Sequence, residues 1–189
     1  VEHDYPMGSL DNIDINKPNE LETYAKRIED VAAGRTYTFH VTPKIDGSSI
    51  ALTYENGVLV RAVTRGNGLV GQDITAKVHH FKNVPTRLPD NMTITVRGEA
   101  VMHRDDFAEY LTIAELDGVQ NPRNIGNGII VRKDCCGAGL ITFYAFNALL
   151  PDFRYTKVME MYSILNRIGF VTPPSVVCND LLDVQAEIR

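Results

Sequence analysis

Asn56-Gly57 constrains this chain more than any other pair of residues. The dipeptide readily supplies the two positive-φ positions of a tight hairpin turn, and a β-rich run flanks it on each side, 49–55 before and 58–64 after. A hairpin at that point makes the local sheet antiparallel. It also disposes of a tempting fingerprint. Gly66, Gly68 and Gly71 spell G-x-G-x-x-G after a strand and before a helix. A dinucleotide-binding turn follows the first strand of a parallel βαβ unit, not the second arm of a hairpin, and no strand ending in an acid sits about 20 residues on. The sequence has no G-x-x-x-x-G-K-[ST] and so no P-loop.

Around the hairpin the pattern predicts mixed structure. Residues 1–18, with Pro6 and Pro18, read as an extended arm. Asn19, with Glu22 three residues on, reads as a capping box. Leu21, Tyr24, Ala25, Ile28, Val31 and Ala32 then recur at helical spacing until Gly34. A strand is expected over 37–42, a loop over 66–71 and a short helix over 74–81. A strand over 93–101 and a helix over 105–116, closed by Gly118, come next. The stretch 121–132 reads as irregular because of its glycines. Beyond it come an apolar strand at 141–149, a helix at 158–168 ended by Gly169, and a short strand at 176–178. Asn179 is expected to cap a last helix that runs to Arg189. Strands joined mainly by hairpins and loops give an α+β class, with mainly antiparallel sheets and flanking helices.

Composition narrows the function. A length of 189 residues suits one domain, or one domain with an appendage. The net charge of −5 argues against a chain that grips nucleic acid unaided, so a DNA-acting protein of this kind needs a local basic strip or other domains. No run approaches the roughly 18–20 apolar residues of a membrane span. The N-terminus lacks a signal peptide and an initiator Met, so the chain reads as processed, trimmed or excerpted. Cys135, Cys136 and Cys178 are odd in number and lack metal-ligand spacing, which points to a reduced cytoplasmic protein without a metal site. His79-His80 reads as a surface pair.

The chemistry centres on Lys44-Ile45-Asp46-Gly47, at a boundary between two expected strands. Thr64-Arg65-Gly66-Asn67-Gly68, Arg97-Gly98-Glu99 and Asn121-Pro122-Arg123-Asn124 accompany it. A lysine amine with its ordinary pKa of about 10.4 is only about 0.04% neutral at pH 7, so using it as a nucleophile costs roughly 4–5 kcal/mol unless its site helps. Nearby cations and partial burial provide that help. Arg65 is a candidate neighbour, because the hairpin returns the end of 58–64 towards Lys44. Such a lysine can attack a phosphorus atom and hold the product as a phosphoramidate.

These motifs, with Pro6-Met7-Gly8-Ser9-Leu10-Asp11-Asn12 and 142–147, resemble the adenylation (nucleotidyltransferase) domain of NAD-dependent DNA ligases, in order and with near-family spacing. K-x-D-G is shared with ATP-dependent ligases and capping enzymes. The Ser-Leu-Asp-Asn arm and Asn-Pro-Arg-Asn are particular to the NAD-dependent branch. The resemblance implies an ATP-grasp-like nucleotidyltransferase fold and a role in DNA replication and repair in a bacterial, viral or phage-infected cytoplasm. It implies NAD as AMP donor, Mg²⁺, and nicked double-stranded DNA as substrate.

By matching motif, the resemblance makes Lys44 the AMP acceptor, with Asp46 and Gly47 shaping its site. Arg65 is to contact the ribose or phosphate side of the nucleotide and Glu99 to hold the ribose hydroxyls. Ser9 and Leu10, from the arm, are to line the adenine pocket. Phe146 is to stack on adenine, with Tyr144 as the same-face alternative and a core position as the plain structural reading. Arg123 and Arg132 are to meet the phosphates and the nick.

The chain departs from the family at three acidic positions. Thr42 stands where a glutamate reads the adenine amino group, Asn67 where aspartate is usual and Gln72 where glutamate is usual. Arg123 and Arg132 are also one residue further apart than the family pattern. The resemblance further implies that the chain is incomplete at both ends. Residues 19–189 would be a partial adenylation domain without its C-terminal motifs and without the OB, zinc, helix-hairpin-helix and BRCT modules. Such a chain is expected to be inactive alone and to need a second polypeptide carrying the missing motifs. A non-catalytic nucleotide-binding or regulatory subunit of a split ligase is the alternative.

Overall fold

The computed structural model describes residues 1–14, 16–114, 121–151 and 153–188. In chain order the elements are α1 (Pro18–Ala32), β1 (Phe39–Val41), β2 (Ser48–Glu55), β3 (Val58–Thr64), α2 (Thr75–Val78), β4 (Ile94–Met102), α3 (Arg104–Ile113), α4 (Pro122–Val131), β5 (Ile141–Leu149), α5 (Val158–Arg167), β6 (Val176–Cys178) and α6 (Leu181–Glu187). A 3₁₀ turn, Ala138–Leu140, precedes β5. The chain is α+β, with every strand pair antiparallel. It divides into two compact units, Val1–Met7 with Lys44–Pro173, and Gly8–Pro43 with Pro174–Arg189.

The larger unit is built on a four-stranded sheet in the order β3-β2-β4-β5. Asn56 and Gly57 both take positive φ, so the turn that the sequence announces is made as expected. Alternation then sorts side chains between the two faces. Ile50, Leu52 and Tyr54 of β2, Ile94, Val96, Ala100 and Met102 of β4, and Ile141, Phe143 and Ala145 of β5 enter one buried core with Ile129, Ile130, Met161, Leu165, Ile168 and Phe170. Ser49, Glu99 and Tyr144 fall in register across β2, β4 and β5 on the other face. Residues 1–7 belong to this unit. Val1, His3 and Met7 hydrogen-bond to the loop at Gly68–Gly71, and Arg97 donates to the carbonyls of Tyr5 and Pro6 at 2.7 and 2.9 Å.

The smaller unit holds α1, α6 and the pair β1–β6, in which Phe39 faces Cys178 and Val41 faces Val176.

Several local expectations change. The stretch 121–132 is mostly helix, not irregular. Asn121 accepts the Arg123 N–H at 2.9 Å, Pro122 opens the first turn, and Ile129 and Ile130 are fully buried. Gly126 packs against Met102 and Ile141 at a distance that would also admit a Cβ, so crowding does not account for a glycine inside that helix. At α1 the N-cap is Lys17 with Pro18 in the first turn, not Asn19, and the Asp14 N–H is taken by Glu20. Asp180, not Asn179, caps α6 by accepting from Leu182 and Asp183. The helix expected over 105–116 is α3. Leu116, Gly118 and Arg189 lie outside the described residues.

Candidate functional site

Lys44, Asp46 and Gly47 form the segment that leads into β2, with Lys44 and Asp46 exposed and Gly47 buried. Gly47 lies so close to β4 that a Cβ there would run into the Ala100 carbonyl oxygen. The glycine is therefore a matter of space, and the closeness lets its N–H reach the Glu99 carboxylate. Ser49, directly across the ladder, donates its hydroxyl to Glu99 at 2.6 Å. Burial pushes the Glu99 carboxyl above its ordinary range. The Ser49 and Gly47 donors and the positive charges of Lys44 and Arg123 offset only part of that. Gly98, between Arg97 and Glu99, is likewise fixed by space, because a Cβ would strike the Tyr144 carbonyl and the Phe143 ring.

Arg123 stands in the first turn of α4 and pairs with Asp46 at 3.1 Å. Both side chains are more than half exposed, at 52% and 68%, so the pair is worth at most about 1 kcal/mol and yields readily to a ligand. Ser48 donates to Asn127, which ties α4 to the start of β2. Asp46, Arg104, Asn121, Arg123 and Asn124 line an open hollow of about 960 Å³. Arg65 follows β3, exposed, with its N–H on the Ser49 carbonyl at 2.9 Å. Lys44, Asp46, Gly47, Glu99 and Arg123 thus gather around the ends of β2 and β4, with Arg65 anchored to β2.

Phe146 is not a core residue. It is the extra residue of a β-bulge opposite Arg97 and Gly98 and is 37% exposed. Such a bulge re-aims a side chain without breaking the strand. Tyr144 is already engaged, its hydroxyl 3.3 Å from a ring nitrogen of His103. Ser9, Leu10 and Thr42 belong to the smaller unit, where Leu10 is 77% exposed, Ser9 exposed and Thr42 half-buried.

Arg132 does not join Arg123. It ends α4, nine residues on, or roughly 14 Å along the axis at 1.5 Å per residue. Its guanidinium donates to the Tyr110 hydroxyl at 3.0 Å and the Cys136 carbonyl at 2.5 Å, and pairs with Asp134 at 3.2 Å. Burial works against the charge, but Tyr110, Asp134 and Cys136 outweigh it and leave Arg132 more firmly protonated than usual. Lys77, 5% exposed, donates to the carbonyls of Ile129 and Asp134, and Gln72 donates to that of Val131 at 2.8 Å. Asn67 accepts from Leu69 and Val70 and so closes its own loop. Two of the three neutral departures therefore have structural work.

The sequence reading missed Ser49, Arg104 and Lys77. Ser49 follows Gly47 by two residues on the strand that meets Arg97-Gly98-Glu99, so a register argument finds it. Nothing local marks Lys77 as buried.

Residues 1–188 match the family model described as the NAD-dependent DNA ligase adenylation domain. The chain is 37% identical over 188 residues to a DNA ligase of Thermosipho africanus, covering 96% of this chain and 28% of that protein. It is 47% identical over 133 residues to a DNA ligase of Fervidobacterium nodosum, covering 69% of this chain and 19% of the relative. The chain therefore spans under a third of the length of these relatives. A solved ATP-dependent DNA ligase of bacteriophage T7 in complex with ATP shows a distant likeness, at TM-score 0.45 and 13% identity over 86% of this chain and 55% of that one. With its motifs in family order and the family match running from residue 1 to residue 188, the chain belongs to the NAD-dependent DNA ligase adenylation domains.

Proposed function

We propose that this chain carries the AMP-accepting lysine of an NAD-dependent DNA ligase and that the lysine is Lys44. One observation carries the reading: the half-buried Glu99 carboxylate, fixed by Ser49 and Gly47, senses the charges of both Lys44 and Arg123. A nucleotide between them would meet a nucleophile, a ribose acceptor and a phosphate-binding cation at once.

The Lys44 amine, after losing a proton, attacks the α-phosphorus of NAD. An N–P bond forms, the bond to the bridging oxygen breaks, and nicotinamide mononucleotide leaves. Glu99 accepts hydrogen bonds from the ribose hydroxyls, Arg65 neutralises charge beside the phosphate or ribose, and Phe146 stacks on adenine. AMP then passes to the 5′-phosphate at a nick in double-stranded DNA, and the 3′-hydroxyl displaces it to seal the strand, with Arg123 on a phosphate. Arg132 acts on this reaction through the fold of α4.

Magnesium commonly binds through one or two carboxylates plus substrate phosphates, and the exposed Asp46 suits that habit. Bound there, the ion would supply charge neutralisation on the phosphates. The setting is a bacterial or phage-infected cytoplasm. Among the described residues no helix is long and apolar enough to cross a membrane.

The test is the intact mass of the chain after incubation with NAD and Mg²⁺. An AMP-sized gain is expected to be weak or nil for the chain alone and to appear when a second polypeptide, the C-terminal remainder of a relative ligase, is added. The chain alone is not expected to seal nicks. A Lys44→Ala chain that still gained the mass would exclude Lys44. The alternative, a non-catalytic nucleotide-binding subunit, draws on Asn67 and Gln72, whose side chains serve the loop and α4. It requires NAD or AMP binding with no adduct under any of these conditions.

A further inference from the structure

The hollow beside Asp46 holds two arginines. Arg123, from the second position of α4, is partly neutralised by Asp46. Arg104, the first residue of α3, lines the same hollow and has no ion pair among the described residues. Around it, Asp106 is buried and bound to Lys82, which leaves exposed Asp105 as the acid beside it on α3. Among the described residues that line the hollow, Asp46 is set against two arginines.

The backbone adds to this. The α3 N-cap, His103, makes no side-chain capping bond, so the first-turn N–H groups of α3 take no help from it. Both α3 and α4 start at the hollow, and a helix start favours an anion. A volume of about 960 Å³ admits a nucleotide or a stretch of DNA backbone. Two forked guanidiniums on one phosphate give geometry as well as charge.

We propose that Arg104 is a second phosphate-binding residue of this domain, acting with Arg123 in the hollow. The inference deepens the ligase reading and rests on it for the identity of the ligand. The phosphate comes either from the nicked duplex or from the dinucleotide.

The experiment titrates the parent chain, Arg104→Gln and Arg104→Lys with two probes, NAD and a 5′-phosphorylated nicked duplex, at several salt concentrations. Thermal melts serve as the folding control, and exposed Arg104 is expected to leave them unchanged. Arg104→Gln is expected to raise Kd for one probe about five- to tenfold, and Arg104→Lys about two- to threefold. If the duplex is the probe affected, its log–log salt slope also falls by about 0.9. Weakening for NAD alone assigns the dinucleotide. Unchanged Kd and salt slope for both probes, or a parent chain that binds neither, overturns the proposal. The Lys44 adduct is scored separately. Its absence even with the C-terminal remainder of a relative ligase added, with Arg104-dependent binding intact, would sink the catalytic reading and leave this one standing.

Discussion

At one end of α4, Arg123 makes a solvent-exposed ion pair with Asp46 and faces an open hollow. At the other end, Arg132 is held by a hydroxyl, a carbonyl and a carboxylate, while Lys77 and Gln72 bond the last carbonyls of the same helix. Motif matching gave both arginines one role, on phosphates and the nick. The structure gives them different surroundings. A cation held by three partners fixes the helix, and one with a weak exposed partner remains available to a ligand. The family pattern records which residue type occurs but not whether its donors are already spent.

That contrast can be broken at several points. The largest effect is expected for Lys77→Met, which keeps the aliphatic volume and strands two carbonyls in a buried place, at about 2–3 kcal/mol by denaturant unfolding. Arg132→Ala, partly exposed, should cost about 1–2 kcal/mol. Gln72→Glu restores the family's usual residue but turns a donor into an acceptor opposite the Val131 carbonyl, at the negative end of the helix. It should destabilise by about 0.5–1 kcal/mol, and a neutral or stabilising result would show that the bond does not matter.

Glu99 sharpens the comparison from the ligand side. Because burial raises its pKa, the folded chain holds the Glu99 proton more tightly than the unfolded chain does. The stability this group contributes is therefore complete below its ordinary 4.5 and lost as pH rises through the raised value. Thermal melts from about pH 4 to pH 7 should show Glu99→Gln gaining on the parent as pH rises, while NAD binding weakens. A difference that stays flat with pH would mean that the carboxylate is not strained by its burial.

Much of this was legible in the sequence because it depends on local signals. Asn56-Gly57 and the alternating runs beside it gave β2 and β3, and 141–149 gave β5 to the residue. What failed depends on distant contacts. Gly126 and Gly128 each count against a helix by about 1 kcal/mol, so 121–132 read as irregular. The terms that restore α4 are the packing of Ile129 and Ile130 into the core and the bonds that Lys77 and Gln72, each over 50 positions away, make to its last turn. Asn121-Pro122 was the local clue to its start. In the site, Lys44, Asp46, Gly47, Glu99 and Arg123 follow from motif and come together. Ser49 and Arg104 emerge only once strand register and helix starts are known.

The most direct measurement takes Arg123→Ala and Arg132→Ala side by side through one thermal melt and one titration with the 5′-phosphorylated nicked duplex. At about 2–4 °C per kcal/mol for a chain of this size, Arg132→Ala should melt several degrees lower and, while folded, bind the duplex like the parent. Arg123→Ala should melt within about 1 °C of the parent and bind several-fold more weakly. The reverse pattern, with Arg123→Ala unfolding early and Arg132→Ala losing the duplex at an unchanged melting temperature, would contradict the division of labour along α4.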